Sequence, residues 1–168
     1  NNDNTRVNAM NVLAGIGDDE AYSLLIPLLG DGNDSIRSKV MTILADSKSS
    51  AMIKLLSRCF RSRNNLLKKG AIHTLGIMGT DEAIDKLSEM IEKEDSDGKV
   101  WLLQSLANIG TRRCIQLVIQ NASIPDRAEE VTEVLKSIDP DLAIQQLVNL
   151  IDNPNFFTTA VKALAGLE

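Results

Sequence analysis

Acid–base, nucleophilic or metal chemistry needs the right side chains at workable spacing, and this sequence offers few of them. It holds one histidine, His73, and two cysteines, Cys59 and Cys114. A structural zinc site takes about four His or Cys ligands, and a di-iron site needs paired Glu and His motifs, so neither can be built within this chain. His73 is followed by Thr74 and has no Cys, Ser or second His to work with, so it supports no triad. Cys59 and Cys114 sit in apolar stretches, the pattern of buried, reduced thiols in an intracellular protein. No catalytic residue, metal or cofactor is expected.

What remains is binding chemistry. Net charge is −5, which argues against whole-molecule attraction to nucleic acid or an anionic membrane. The charge is nevertheless uneven. Residues 47–80 hold seven basic side chains and no acidic one, whereas residues 94–168 hold eleven acidic and six basic. Lys54, Arg58 and Arg61 fall at i, i+4 and i+7, one stripe of a helix, with Lys68 and Lys69 following. Such a stripe is by default a solvated face, and otherwise a docking site for an acidic partner, a phosphate group or nucleic acid. Asp126, Glu129, Glu130 and Glu133 form the acidic counterpart, suited to a basic partner.

The elements that position these residues follow from a repeat. The chain has 168 residues, of which 43% are hydrophobic but only 3% aromatic, so the core is expected to be aliphatic. Leu13, Leu44, Leu75, Leu106, Leu135 and Leu164 recur at spacings of 31, 31, 31, 29 and 29. Four residues before each stand Ala9, Val40, Ala71, Leu102, Val131 and Ala160; eight after stand Ala21, Met52, Ala83, Cys114 and Ala143. Three columns in phase define an internal repeat with units near 1–30, 31–61, 62–92, 93–121, 122–152 and 153–168.

Each unit reads as two helices. The segment 35–45 places Ile36, Val40, Ile43 and Leu44 on one face, and 81–91 does so with Ala83, Ile84, Leu87, Met90 and Ile91. No stretch alternates with period two, so no strand is expected. Asn2, Asn33, Asn64, Asp95 and Asn153 precede the first helices as N-caps, with Ile124 the exception, and Pro125 and Pro154 suit the first helical position. Gly17, Gly79 and Gly110 suit left-handed C-caps, after which Asp18, Thr80 and Thr111 cap the second helices.

The helix pair of about 30 residues, with Arg6, Arg37, Lys68 and Lys99 in a basic column, Leu75-Gly76-Ile77-Met78-Gly79, and then Asp81-Glu82-Ala83, resembles HEAT repeats. It is most similar to the short subtype of phycobilin-lyase-like proteins. The resemblance implies an all-α, right-handed α-α superhelix of about five and a half helix pairs in a single array across 1–168, and the missing initiator Met predicts a fragment of a longer protein. In that family an Asp six residues before the basic column bonds between repeats. Only Asp31 keeps it here, with Ser62, Lys93 and Ala122 elsewhere.

The resemblance also implies that the first helices line a concave face. At 100° per residue, Lys39, Gly70, Trp101 and Glu130 form one outward column, and Thr42, His73, Gln104 and Glu133 form a second. Lys39, His73, Trp101, Gln104, Glu130 and Glu133 are therefore the expected partner-binding residues. Trp101 is the expected anchor, since aromatic side chains are enriched at binding hot spots, unless it turns into the inter-repeat core.

The expected function is a non-enzymatic scaffold that binds another protein on that face, in the cytoplasm. A phycobilin-lyase-like chromophore-binding subunit, and anion or nucleic-acid binding through 47–80, are the alternatives. A hydroxylase of this architecture needs paired His-Glu motifs, and a DNA glycosylase a basic, aromatic-lined groove; neither is present. Nucleic acid is an unfavoured partner, since no aromatics interleave the basic residues. No apolar run reaches the ~20 residues of a membrane span. The apolar face of Phe156, Ala160, Val161, Leu164 and Leu167 predicts further repeats or self-association through terminal helices.

Overall fold

A computed structural model describes residues 3–94, 96–122, 134–136, 140–151, 161 and 165. Its contacts divide the chain into two units, 1–89 and 90–168. Among the described residues the regular structure is entirely helical, as expected. Pro125, Pro154 and the caps Asn2, Asp95 and Asn153 lie outside the described residues, as do Glu130 and Glu133. Of the apolar face of the last helix only Val161 is described, and it is exposed.

In the first unit, α1 (Asp3–Ile16), α3 (Asp34–Ser47) and α5 (Asn65–Met78) are the first helices of their repeats. The second helices are α2 (Asp19–Ser23), α4 (Ser50–Arg58) and α6 (Asp81–Ile91), the last running across the division between the units. Helix α3 packs between α1 and α5, and α2 packs on α4. In the second unit α7 (Ser96–Ile109) packs on α8 (Arg112–Ala122), and α8 on α9 (Pro140–Ile151).

The caps that fall on described residues are where the sequence places them. Asn33 Oδ1 accepts from the backbone N–H of Ser35 and Ile36, and Asn64 Oδ1 from Leu66 and Leu67. Each satisfies donors that the first helical turn leaves unpaired. Gly17, Gly79 and Gly110 have φ of +74°, +59° and +71°, where a Cβ is disfavoured. In the second repeat, which has no glycine there, Lys48 takes the left-handed position at φ +44° and Ser49 caps α4. Asp18, Thr80 and Thr111 accept from the N–H of Ala21, Ala83 and Cys114 at 2.7, 3.3 and 3.3 Å.

Two second helices tighten before they end. A proline at 27 has no N–H for the carbonyl of Ser23 and its ring crowds that carbonyl, so α2 stops at Ser23. The chain continues as a 3-10 stretch, Ile26–Gly30, through bonds such as Leu28 N–H to the Leu25 carbonyl at 3.0 Å. Likewise α4 gives way to a 3-10 turn, Cys59–Arg61. Arg61 therefore leaves the α-helical stripe expected for Lys54, Arg58 and Arg61.

The 3-10 stretch Ile26–Gly30 packs on both α3 and α5. Two glycines permit that approach. A Cβ on Gly70 would lie 2.9 Å from the Leu29 carbonyl oxygen, and one on Gly30 would lie 2.7 Å from Asn64 Nδ2. Around this contact the core is aliphatic, with Leu25, Leu29, Ile36, Val40, Leu44, Ala71 and Leu75 buried; Phe60 is the ring that joins it.

Polar contacts recur between neighbouring repeats at the helix starts. The Arg6 guanidinium donates to the carboxylate of Asp31, the single rung expected from the basic column. Asn33 Nδ2 donates to Asp3 at 2.9 Å, Ser49 Oγ to Asp19 at 2.7 Å, and Ser50 Oγ to Glu82. The backbone N–H of Asn33, and then Arg6, hold the Asp31 carboxyl below the usual carboxylate range.

Candidate functional site

In the first unit α1, α3 and α5 lie side by side, and a furrow runs between the last two. Between α3 and α5 this furrow is a groove of about 470 Å³. Helix α3 contributes Asp34, Arg37, Ser38 and Met41. Helix α5 contributes Leu66, Lys69, His73 and Ile77, with Gly70 at the base. The four α5 side chains stand at offsets 0, 3, 7 and 11, one face of a helix.

The groove joins apolar and basic surface. Leu66 is 41% exposed and Ile77 55%, one toward each end. Lys69 and the half-buried His73 stand between them. Burial, and then the charge of Lys69, push the His73 imidazole below its ordinary value, so it is neutral at pH 7. On α3 the Arg37 guanidinium is held by the Asp34 carboxylate and donates to the Asp31 carbonyl. That pairing offsets Asp34, the carboxylate among the lining residues.

The expected site residues separate. His73 lines the groove, as its outward column requires. Lys39, on α3, is exposed but outside the groove lining, and Trp101 and Gln104, on α7 of the second unit, are half-buried. The outward column through Lys39, Gly70 and Trp101 is corrected at Gly70, which is buried because Leu29 of the 3-10 stretch lies against it. The basic patch also divides. Lys69 lines the groove and Lys68 is half-buried, while Lys54, Arg58 and Arg61 are exposed on α4 and the 3-10 turn after it.

Leu66 and Ile77 were not expected, yet the repeat marks both. The column of Leu66 otherwise holds Asn4, Ser35, Asp97, Asp126 and Asn155. That of Ile77 otherwise holds Gly15, Asp46, Asn108, Ser137 and Gly166. Each is the one large apolar residue in a column that the other units keep polar or small, and both fall in the same repeat.

Among the described residues no group of three or more His, Cys, Asp or Glu is placed to hold a metal ion, and no helix is long and apolar enough to cross a membrane. Burial raises the Cys59 thiol above its ordinary value, and Cys114 is buried; neither is in a disulfide.

These features define an all-α protein of stacked helix pairs. The family profile described as HEAT repeats matches residues 1–65 and 25–107, more than half of the chain, and the chain belongs to that family. Among solved structures it is similar to the complex of CpcE and CpcF of phycocyanin lyase from Nostoc sp. PCC7120. That match has 20% identity, 87% of this chain, 64% of that chain and a TM-score of 0.45. It is also similar to an engineered protein (18% identity, 99% and 91% of the two chains, TM-score 0.39) and to a designed armadillo repeat protein (14%, 96% and 93%, 0.38). This chain therefore spans less than two thirds of the phycocyanin lyase chain. No curated protein matches the sequence.

Proposed function

We infer that this chain is a non-enzymatic protein-interaction scaffold whose partner seats a segment in the groove between α3 and α5. The observation that carries this is the placement of Leu66 and Ile77. An inner helix, covered on its stacking side, still holds two large apolar side chains in solvent, at positions the other repeats keep polar or small. The exposed half of each adds nothing to folding, whereas a partner that covered both would gain roughly 25 cal/mol per Å² of apolar surface removed from water. Two cysteines outside any disulfide, one raised by burial and one fully buried, support a reducing cytoplasmic setting.

The test is capture from native lysate by wild-type chain, by the double variant Leu66→Ser/Ile77→Ser and by a control, Lys54→Ala/Arg58→Ala, compared by quantitative mass spectrometry. The reading expects proteins held by the wild type and the control to be lost by the groove variant. Retention by the groove variant with loss by the control would move the site to α4.

A further inference from the structure

Two neighbouring repeats build the same turn before their first helices and differ in one side chain. Asp31 follows the 3-10 stretch Ile26–Gly30, and Ser62 follows the 3-10 turn Cys59–Arg61. Their φ and ψ are −65° and 148°, and −69° and 142°. Each closes its turn through its own N–H, to the Leu28 carbonyl at 3.1 Å and to the Cys59 carbonyl at 2.9 Å. Each side-chain oxygen then accepts from the backbone N–H two residues on, Asn33 at 2.9 Å and Asn64 at 3.1 Å. Asp31 has a second oxygen, and the Arg6 guanidinium of the preceding first helix donates to it. Ser62 ends at its single oxygen.

We propose that Ser62 is a phosphorylation site, whose phosphate joins α3 to α5 through Arg37 as the Asp31 carboxylate joins α1 to α3 through Arg6. This does not depend on the groove being the partner site.

The receiving side is already built. Arg37 follows Arg6 by 31 residues, as Ser62 follows Asp31. Each arginine is held by the aspartate three residues before it, Arg6 by Asp3 at 3.5 Å and Arg37 by Asp34. Arg37 also donates to the Asp31 carbonyl, and a guanidinium carries further N–H donors beyond these. What Arg37 lacks among the described residues is a carboxylate from the next repeat, because Ser62 stands there. A phosphoserine opposite an arginine forms charge-assisted hydrogen bonds. Later members of the same column, Lys93 and Ala122, have no hydroxyl to modify.

The surroundings suit a dianion. Arg58, Arg61 and Arg63 precede and follow Ser62, are exposed, and form no ion pair among the described residues. Residues 47–80 contain no acidic side chain. Asp34, the carboxylate on the receiving side, lies at the surface and is held by Arg37. Ser62 itself is half-buried, in a turn whose neighbours Arg61, Arg63 and Asn64 are exposed, where an enzyme can reach the chain. The donor is a nucleoside triphosphate and the catalyst a protein kinase that reads basic flanks. The bond from Ser62 Oγ to the γ-phosphorus forms as the bond from that phosphorus to the β,γ-bridging oxygen breaks. The hydroxyl proton passes to the kinase's base and nucleoside diphosphate leaves.

The experiment has two arms. In the first, the chain is incubated with native lysate and MgATP, and its phosphorylated residues are mapped by tandem mass spectrometry. The proposal expects phosphate on Ser62, reduced severalfold in Arg61→Ala/Arg63→Ala. Phosphate on other residues only, or none, would overturn it. In the second arm, thermal unfolding is followed for the chain with phosphoserine encoded at position 62 and for Ser62→Asp. Tm should rise by about 2–4 °C with phosphoserine, and by less in Ser62→Asp. Both rises should vanish when Arg37→Gln is added. Rises that persist in Arg37→Gln, or a lowered Tm in both forms, would overturn the join between α3 and α5.

Discussion

Helices α1 and α5 carry the same repeat pattern and expose apolar side chains for different reasons. On α1, Val12 is 65% exposed, while its counterparts in the next two repeats, Ile43 and Thr74, are buried. Ala9 is exposed, while Val40 and Ala71 are buried. These columns close only where a preceding helix lies against them, and no described helix lies on the outer side of α1. Exposure on α1 therefore follows from its place in the stack. Helix α5 has α3 against it, and its pattern columns are closed, yet Leu66 and Ile77 remain in solvent. A stack explains the first set and not the second, which is why the groove and not α1 is read as functional.

The comparison is broken most directly in the core. Leu75→Ala should destabilise the chain by about 2–5 kcal/mol in urea unfolding, because Leu75 is fully buried between repeats. Leu13→Ala, the same column on α1, should cost a small fraction of that. Equal losses would mean that α1 is packed as tightly as α5.

Next in size are two glycines. Gly70→Ala pushes a Cβ against the Leu29 backbone and should cost about 1–3 kcal/mol. Gly15→Ala, with open space around the position, should stabilise by about 0.5–1 kcal/mol through helix propensity alone. A neutral Gly70→Ala in thermal or urea unfolding would show that the 3-10 stretch is not pinned to α5. Removing a cap comes after these: Asn64→Ala should cost about 1 kcal/mol at the start of α5.

Most of this architecture was legible in the sequence. The leucine column, the Asn caps and the glycine C-caps each report a local backbone requirement, and local requirements survive in a single sequence. Gly70 was misplaced because its neighbour, Leu29, comes from the 3-10 stretch two repeats earlier, and helical phase alone does not carry that contact. Trp101 and His73 were assigned to one surface from phase; the structure places His73 in the groove and Trp101, half-buried, in the other unit. Leu66 and Ile77 escaped because attention went to the columns that repeat. The informative signal lay in the residues that depart from their columns.

The smallest expected effect is on pH. Burial and Lys69 hold the His73 imidazole below the ~6.5 of an unfolded chain, so between those two values the unfolded state binds the extra proton. The His73 contribution to stability is fully present above pH ~6.5, declines as pH falls through the window, and levels off below the folded value. Urea midpoints measured from pH 5 to 8 should show this decline in the wild type and a flatter profile in His73→Gln. An identical slope in both would remove His73 from the account.

That same histidine gives the most direct test of the groove. The chain has one His, so its imidazole Cε1–H gives one proton resonance, placed between Leu66 and Ile77. Titrating the folded chain with a partner segment recovered in the lysate capture should shift that resonance to saturation at the binding Kd. A saturating segment that leaves the His73 resonance unmoved would contradict binding in this groove.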